Sequence, residues 1–243
     1  MSKKKLGRIL GSILLLLAAL CGIYLFTGSY SANEDVEAVL APTKDIAIMK
    51  SDDGSLVFVP SDPKAGVIFY PGGKVESKAY APLMTAFARE DILCVLLSMP
   101  FDLAVFDRNA ADGIQEQYPE IQEWYLAGHS LGGAMAASYA ADNAEDYEGL
   151  FLLAAYSTAD LTNSGLNVIS LYGSEDGVLN PVKYNEYRSN LPENTQEEMI
   201  PGGCHAYFGC YGFQDGDGTP TITNEEQIRI TVDRCLSVIN ERR

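Results

Sequence analysis

One pentapeptide limits what this chain can become. At residues 128–132, Gly-His-Ser-Leu-Gly follows a short apolar run (Trp124, Tyr125, Leu126, Ala127) and precedes a small-residue stretch, AMAASYA, suited to a helix. A G-x-S-x-G step from strand to helix needs a turn so sharp that its serine takes a strained backbone conformation. The residues two places away on either side must lack bulk so that strand and helix can approach. The turn also sets Ser130 at the head of a helix, where unpaired N–H groups and the positive dipole end favour a developing negative charge.

The rest of the chain supplies the sheet such a turn requires. Residues 46–50 and 55–60 read as strands around the turn Ser51-Asp52-Asp53-Gly54, a hairpin signal. Buried strands are expected at 66–70 and 92–97, further strands at 123–127, 150–155, 166–171 and 197–200, and helices at 79–89, 103–117 and 225–239. Apolar strands alternating with helices predict a mostly parallel twisted sheet covered on both faces, with a ligand site at the carboxyl ends of the strands. At 243 residues with 47% apolar content, one domain with a full core is expected.

The N-terminus has a different character. Residues 9–26 carry no charge and follow Lys3, Lys4, Lys5 and Arg8. That run is long enough to cross a bilayer and exceeds the usual signal-peptide core of roughly 7–15 residues. The basic flank predicts a signal-anchor with its domain outside the cytosol; cleavage at the small-x-small site before Ala32, giving a secreted protein, is the alternative. The expected organisation is therefore an N-terminus and transmembrane segment over 1–27, a polar tether over 28–43 and a folded domain over 44–243. Beyond the first 27 residues, 13 Lys and Arg face 33 Asp and Glu. So acidic a surface argues against nucleic acid or anionic lipid as partner.

A serine nucleophile needs a base, and the base needs an orienting acid. Of the two histidines, His129 sits inside the turn, so His205, on a glycine-flanked loop before the final helix, is the candidate base. Asp176 in SLYGSEDG is the candidate acid, Glu175 and Asp160 being the alternatives. The backbone N–H groups of Leu131 and Gly73 are the expected oxyanion donors, with Lys74 as the alternative to Gly73.

With those residues in view, the chain resembles the α/β-hydrolases, and among them the compact membrane-anchored bacterial branch known as alpha/beta hydrolase family 5. The resemblance runs from about residue 66 to the C-terminal helix. It is carried by FYPGGKVESKAYAPL, VLLSMPFDLAVF, GHSLGGAMAASYA, SLYGSEDGV and GGCHAYFGCYGFQDGDG. It implies an α/β-hydrolase fold and a Ser-His-Asp hydrolase in which Ser130, Asp176 and His205 occupy the motif positions. The chain departs from the family pattern at Cys204, where asparagine is usual, and at Cys210.

In such folds a lid is commonly inserted after the strand ending near Ala155. Here about ten residues join it to the next strand, so no cap domain is expected. The site should be open, walled by Tyr207, Phe208, Tyr156 and Met99, and should take a small acyl ester or the end of a larger molecule. Hydrolysis through an acyl-enzyme, without metal or organic cofactor, is the expected chemistry. Transfer of the acyl group to an envelope alcohol or amine, and a catalytically silent binding module, are the other readings. Cys204 and Cys210, flanking the base on the expected oxidising side, could form a disulfide that stiffens the loop. A zinc site there would lack a fourth ligand.

Overall fold

The computed structural model describes residues 28–41 and 43–240, together with Ala19 and Gly22. Strands β1 (Ile46–Lys50) and β2 (Leu56–Pro60) form the expected antiparallel hairpin. Gly54 closes its turn at φ +93°, and the Asp53 carboxylate accepts from both the N–H and the hydroxyl of Ser55.

The remaining strands are β3 (Ala65–Tyr70), β4 (Ile92–Leu96), β5 (Trp124–His129), β6 (Gly149–Leu153), β7 (Asn167–Gly173) and β8 (Gln196–Ile200). They complete one eight-stranded sheet in the order β1-β2-β4-β3-β5-β6-β7-β8. The hairpin joins β4 antiparallel through β2, and β3 to β8 are all parallel. Every residue of β3, β4, β5 and β6 is buried, which explains their unbroken apolar runs.

Alternation along each strand divides the core between the two faces. Phe69, from β3, lies beside the Tyr80 ring and shares one core with Met84 and Phe87 of α2 (Ala81–Ala88) and with Ile228 and Cys235 of α5 (Asn224–Asn240). Its neighbours Ile68 and Tyr70 face the other way, towards Ala136 and Ala140 of α3 (Leu131–Asp142). The short helices α1 (Val36–Val39) and α4 (Pro181–Tyr187) complete the set among the described residues. β4 lies on one side of β3 and β5 on the other, so the strand order reverses there. A crevice at such a point, outside the carboxyl ends, is where ligands bind in open parallel sheets.

Two expectations need correction. Residues 103–117 are not a helix; isolated 3-10 turns at Ala104–Phe106 and Gln115–Gln117 replace it. Phe101 and Asp102 enter the segment with positive φ, and Gly113 at φ +72° interrupts it. Residues 28–41 do not hang as a tether. Tyr30 pairs with Val75 in an isolated bridge, its N–H donating to Lys74 O (2.7 Å) and its carbonyl accepting from Glu76 N–H (2.9 Å). Asn33 N–H donates to Cys210 O, the Tyr30 hydroxyl accepts from Asp215 N–H (3.2 Å), and Val36 is buried.

Among the described residues no helix is long and apolar enough to cross a membrane. Apart from Ala19 and Gly22, the apolar run at 9–26 lies outside them. No element is inserted between β6 and β7, so no cap covers the carboxyl edge there.

Candidate active site

Ser130 sits between the last residue of β5 and the first of α3 at φ 52°, ψ −123°. For a side-chain-bearing residue this conformation costs about 1–3 kcal/mol, and its surroundings fix it. The Ser130 N–H donates to Leu153 O (2.9 Å) and its carbonyl accepts from Ala134 N–H (3.1 Å). A Cβ at Gly132 would fall 2.2 Å from the carbonyl oxygens of Tyr70 and Pro71, and one at Gly128 would fall 2.7 Å from the backbone of Gly132 and Gly133. Bulk at either position would separate strand from helix.

Asp176 follows β7 and His205 follows β8, and the two meet. His205 Nδ1 lies 2.9 Å from Asp176 Oδ2, with side-chain exposures of 1% and 2%. An ionised carboxylate only accepts, so Nδ1 carries the proton and Nε2 is the basic nitrogen. Nε2 is buried and makes no hydrogen bond among the described residues. The other Asp176 oxygen accepts from the N–H groups of Val178 (2.9 Å) and Leu179 (2.8 Å). The alternatives fall away: Glu175 accepts from the Ser174 hydroxyl at the surface, and Asp160 is engaged by Thr162 on an exposed loop.

Gly73 and Leu131 are adjacent, since a Cβ on Gly73 would lie 2.7 Å from Leu131 Cδ2. The Lys74 N–H donates to Asp102 O (2.7 Å), which removes it as a competing oxyanion donor. Ser130 and His205 line one cavity of about 370 Å3 with Leu131, Met135, Tyr156 and Leu179 among its walls. That volume is within the usual range for a small-molecule site, roughly 300–1,000 Å3. Of the four expected wall residues only Tyr156 contributes. Phe208 is buried against the His129 ring, Met99 belongs to the core, and Tyr207 lines a separate small cavity.

Three supporting residues were not legible in the sequence. The Asp217 carboxylate accepts four backbone N–H groups: those of His205 (3.1 Å), Gly177 (3.1 Å) and Gly218 (2.9 Å) on Oδ1, and that of Ala206 (2.9 Å) on Oδ2. One side chain thus ties the acid loop to the base loop. Tyr80 accepts from Gly72 N–H (3.1 Å) and donates to His129 Nδ1 (2.8 Å), its phenol kept protonated by burial. The His129 ring in turn stands 4.5 Å from the His205 ring, centroid to centroid. His129 is buried, does not line the cavity, and meets it only through this contact with the His205 ring.

Burial, and then the neighbouring His205, hold His129 well below the ordinary histidine range. An unfolded chain takes up that proton near pH ~6.5 and the folded chain does not. Stability from this residue is therefore complete above pH ~6.5 and lost below it, by about 1.4 kcal/mol per pH unit. Unfolding midpoints in denaturant between pH 5 and 7 should show His129→Gln with a shallower acid loss, by close to one proton. Equal slopes in the two proteins would remove this account.

The Cys204–Cys210 bond is not formed: both thiols are free and buried. Their partners on α5 differ. The Gln227 amide pairs with the Cys204 backbone on both sides, and the Cys210 thiol donates to Asn224 Oδ1. Burial pushes each thiol up to about 12, with Asp217 adding at Cys204 and Asp35 at Cys210.

Residues 66–229 match the model of the alpha/beta hydrolase family. No curated protein matches the chain. Among solved structures, carboxylesterase CesB (YbfK) from Bacillus subtilis is similar at 12% identity and TM-score 0.60, over 85% of this chain and 95% of that one. Naproxen esterase from Bacillus subtilis is similar at 11% identity and TM-score 0.59, over 84% and 94%. Est1E from Butyrivibrio proteoclasticus is similar at 12% identity and TM-score 0.56, over 81% and 100%. At such identities the likeness establishes the fold alone, and the sheet order and turn described above are that fold.

Proposed function

This chain belongs to the alpha/beta hydrolase family, and from that premise we propose that it is a serine hydrolase cleaving carboxylic ester bonds of a small molecule or of the end of a larger one. The observation that carries the reading is the buried Asp176–His205 pair, whose remaining ring nitrogen has no partner among the described residues and whose ring lines the same cavity as the strained Ser130. Ser130 attacks the acyl carbon while His205 Nε2 takes its proton. Asp176 holds the tautomer and stabilises the imidazolium. The N–H groups of Leu131 and Gly73 receive the oxyanion. His205 returns the proton to the leaving alcohol, and water then hydrolyses the acyl-enzyme by the same route.

The same proposal places the domain outside the cytosol, held by residues 9–26 as a signal-anchor, on the strength of their length and basic flank. Two measurements test the enzymology: labelling of Ser130 by a fluorophosphonate, and turnover of short-chain nitrophenyl esters. A native protein that does neither is not a serine hydrolase.

Asp217 carries its own expected result. Asp217→Ala frees both loops at once, and misplacement of a reacting group by ~1 Å costs about a hundredfold. Steady-state kinetics should show kcat down by roughly 10- to 100-fold with KM nearly unchanged, whereas Asp217→Asn, which keeps Oδ1, recovers most of the loss. Wild-type kcat in the alanine variant would show that the loops hold themselves.

A further inference from the structure

Seven large apolar side chains are substantially exposed among the described residues. Two of them, Met49 and Met199, lie on the outermost strands β1 and β8. The other five are Phe101 (41%), Val105 (49%), Phe106 (54%), Val182 (72%) and Phe213 (64%). All five follow the carboxyl ends of strands β4, β7 and β8, at the edge of the sheet that carries Ser130 and His205. Scattered exposed apolar residues need no explanation; a concentration of them around one rim does. Phe101 and Phe106 also pack edge to face, with centroids 5.7 Å apart, so they form a joint apolar surface.

The N-terminal segment reaches the domain at this same rim. Tyr30 is joined to Asp102 through Lys74, by the bonds Tyr30 N–H to Lys74 O and Lys74 N–H to Asp102 O, each 2.7 Å. On its other side it is joined to the stretch holding Phe213, through its hydroxyl to Asp215 and through Asn33 to Cys210. The chain thus enters between the Phe101–Phe106 pair and Phe213. The apolar run ends at Phe26. Four residue steps to Tyr30 span at most about 14 Å when fully extended. With residues 9–26 as the proposed anchor, a domain pinned so close to it would have this edge nearest the lipid.

We propose that the rim formed by Phe101, Val105, Phe106 and Phe213 seats on the surface of the bilayer, and that the substrate is an ester carried by an amphiphile residing in that bilayer. The proposal rests on the serine-hydrolase reading and on residues 9–26 as the anchor. The partner surface is neutral or zwitterionic lipid, because the excess of Asp and Glu beyond the first 27 residues opposes anionic headgroups and leaves apolar insertion as the attraction. The uncapped cavity then takes an acyl group from an amphiphile that keeps its other end in the lipid.

Two experiments on the full-length chain in phosphatidylcholine vesicles decide it. Phe106→Trp adds one reporter to the single native Trp124, which is buried. Brominated phosphatidylcholine should quench the new emission by at least half relative to wild type. No added quenching, or a blue shift without quenching such as a second protein copy would give, overturns the seating. The triple variant Phe101→Ser, Phe106→Ser, Phe213→Ser should turn over dissolved nitrophenyl acetate within twofold of wild type. Its hydrolysis of a fluorogenic ester lipid in the same vesicles should fall at least tenfold. Equal effects on both substrates overturn the substrate class. Absence of fluorophosphonate labelling in wild type would instead strike the hydrolase reading, with the quenching result still deciding the seating.

Discussion

His205→Ala is expected to lower kcat on a short-chain ester by about ten-thousandfold or more, while the fold persists. Among the described residues lining the cavity with Ser130, His205 alone carries an imidazole or other side-chain base. Its Nδ1–H is committed to Asp176, Nε2 has no partner among the described residues, and the other histidine is kept neutral by burial and tied to Tyr80. Residual turnover above the uncatalysed rate would come from the oxyanion donors and substrate binding alone. Ser130→Ala should fall as far, and the double variant little further, because groups that act as one unit do not add. Circular dichroism and a melting curve establish that the variants are folded. If His205→Ala kept more than a tenth of wild-type kcat, the imidazole would have no part in the chemistry.

Asp176→Asn should cost about ten-thousandfold in kcat with almost no change in shape. The reason lies in how the carboxylate is already used. One oxygen receives the Val178 and Leu179 N–H groups, so an asparagine places its own oxygen there and turns its NH2 towards His205. The amide then donates to Nδ1, the proton moves to Nε2, and the ring cannot accept from a serine hydroxyl. The pH–rate profile and the rate of fluorophosphonate labelling should both report this loss. A variant with near-normal labelling would mean that another group orients the imidazole.

Much of this site could be read from the sequence because its chemistry is written locally. The elbow is five consecutive residues whose spacing has a steric cause, and Asp176 and His205, the proposed acid and base, each follow a strand. What escaped the reading is held by the backbone. Asp217 acts on the N–H groups of Gly177 and His205, 40 and 12 positions away, and no property of an aspartate in a glycine-rich loop announces that. Residues 28–43 look like a tether because they are polar. Yet they dock through the N–H and carbonyl of Tyr30, which every residue type would supply.

Residues 103–117 have apolar residues at helical intervals, Leu103, Phe106 and Ile114 among them. The segment is nevertheless bent by left-handed backbone at Phe101 and Asp102, where the Asp102 carbonyl is drawn to Lys74. Sequence proximity also overstated the case for a Cys204–Cys210 bond, since α5 engages the two positions through different side chains.

The Tyr30–Asp215 hydrogen bond unites positions 185 apart in the chain. During synthesis the Tyr30 hydroxyl must therefore wait for residue 215 to emerge before this bond can close. The bonds of Tyr30 to Lys74 and Glu76 involve no residue beyond 76, so the loop bearing Gly73 can be held from that side first. A nascent chain thus presents Ser130 well before His205, and the proposed site is complete only once the loop that follows β8 has emerged.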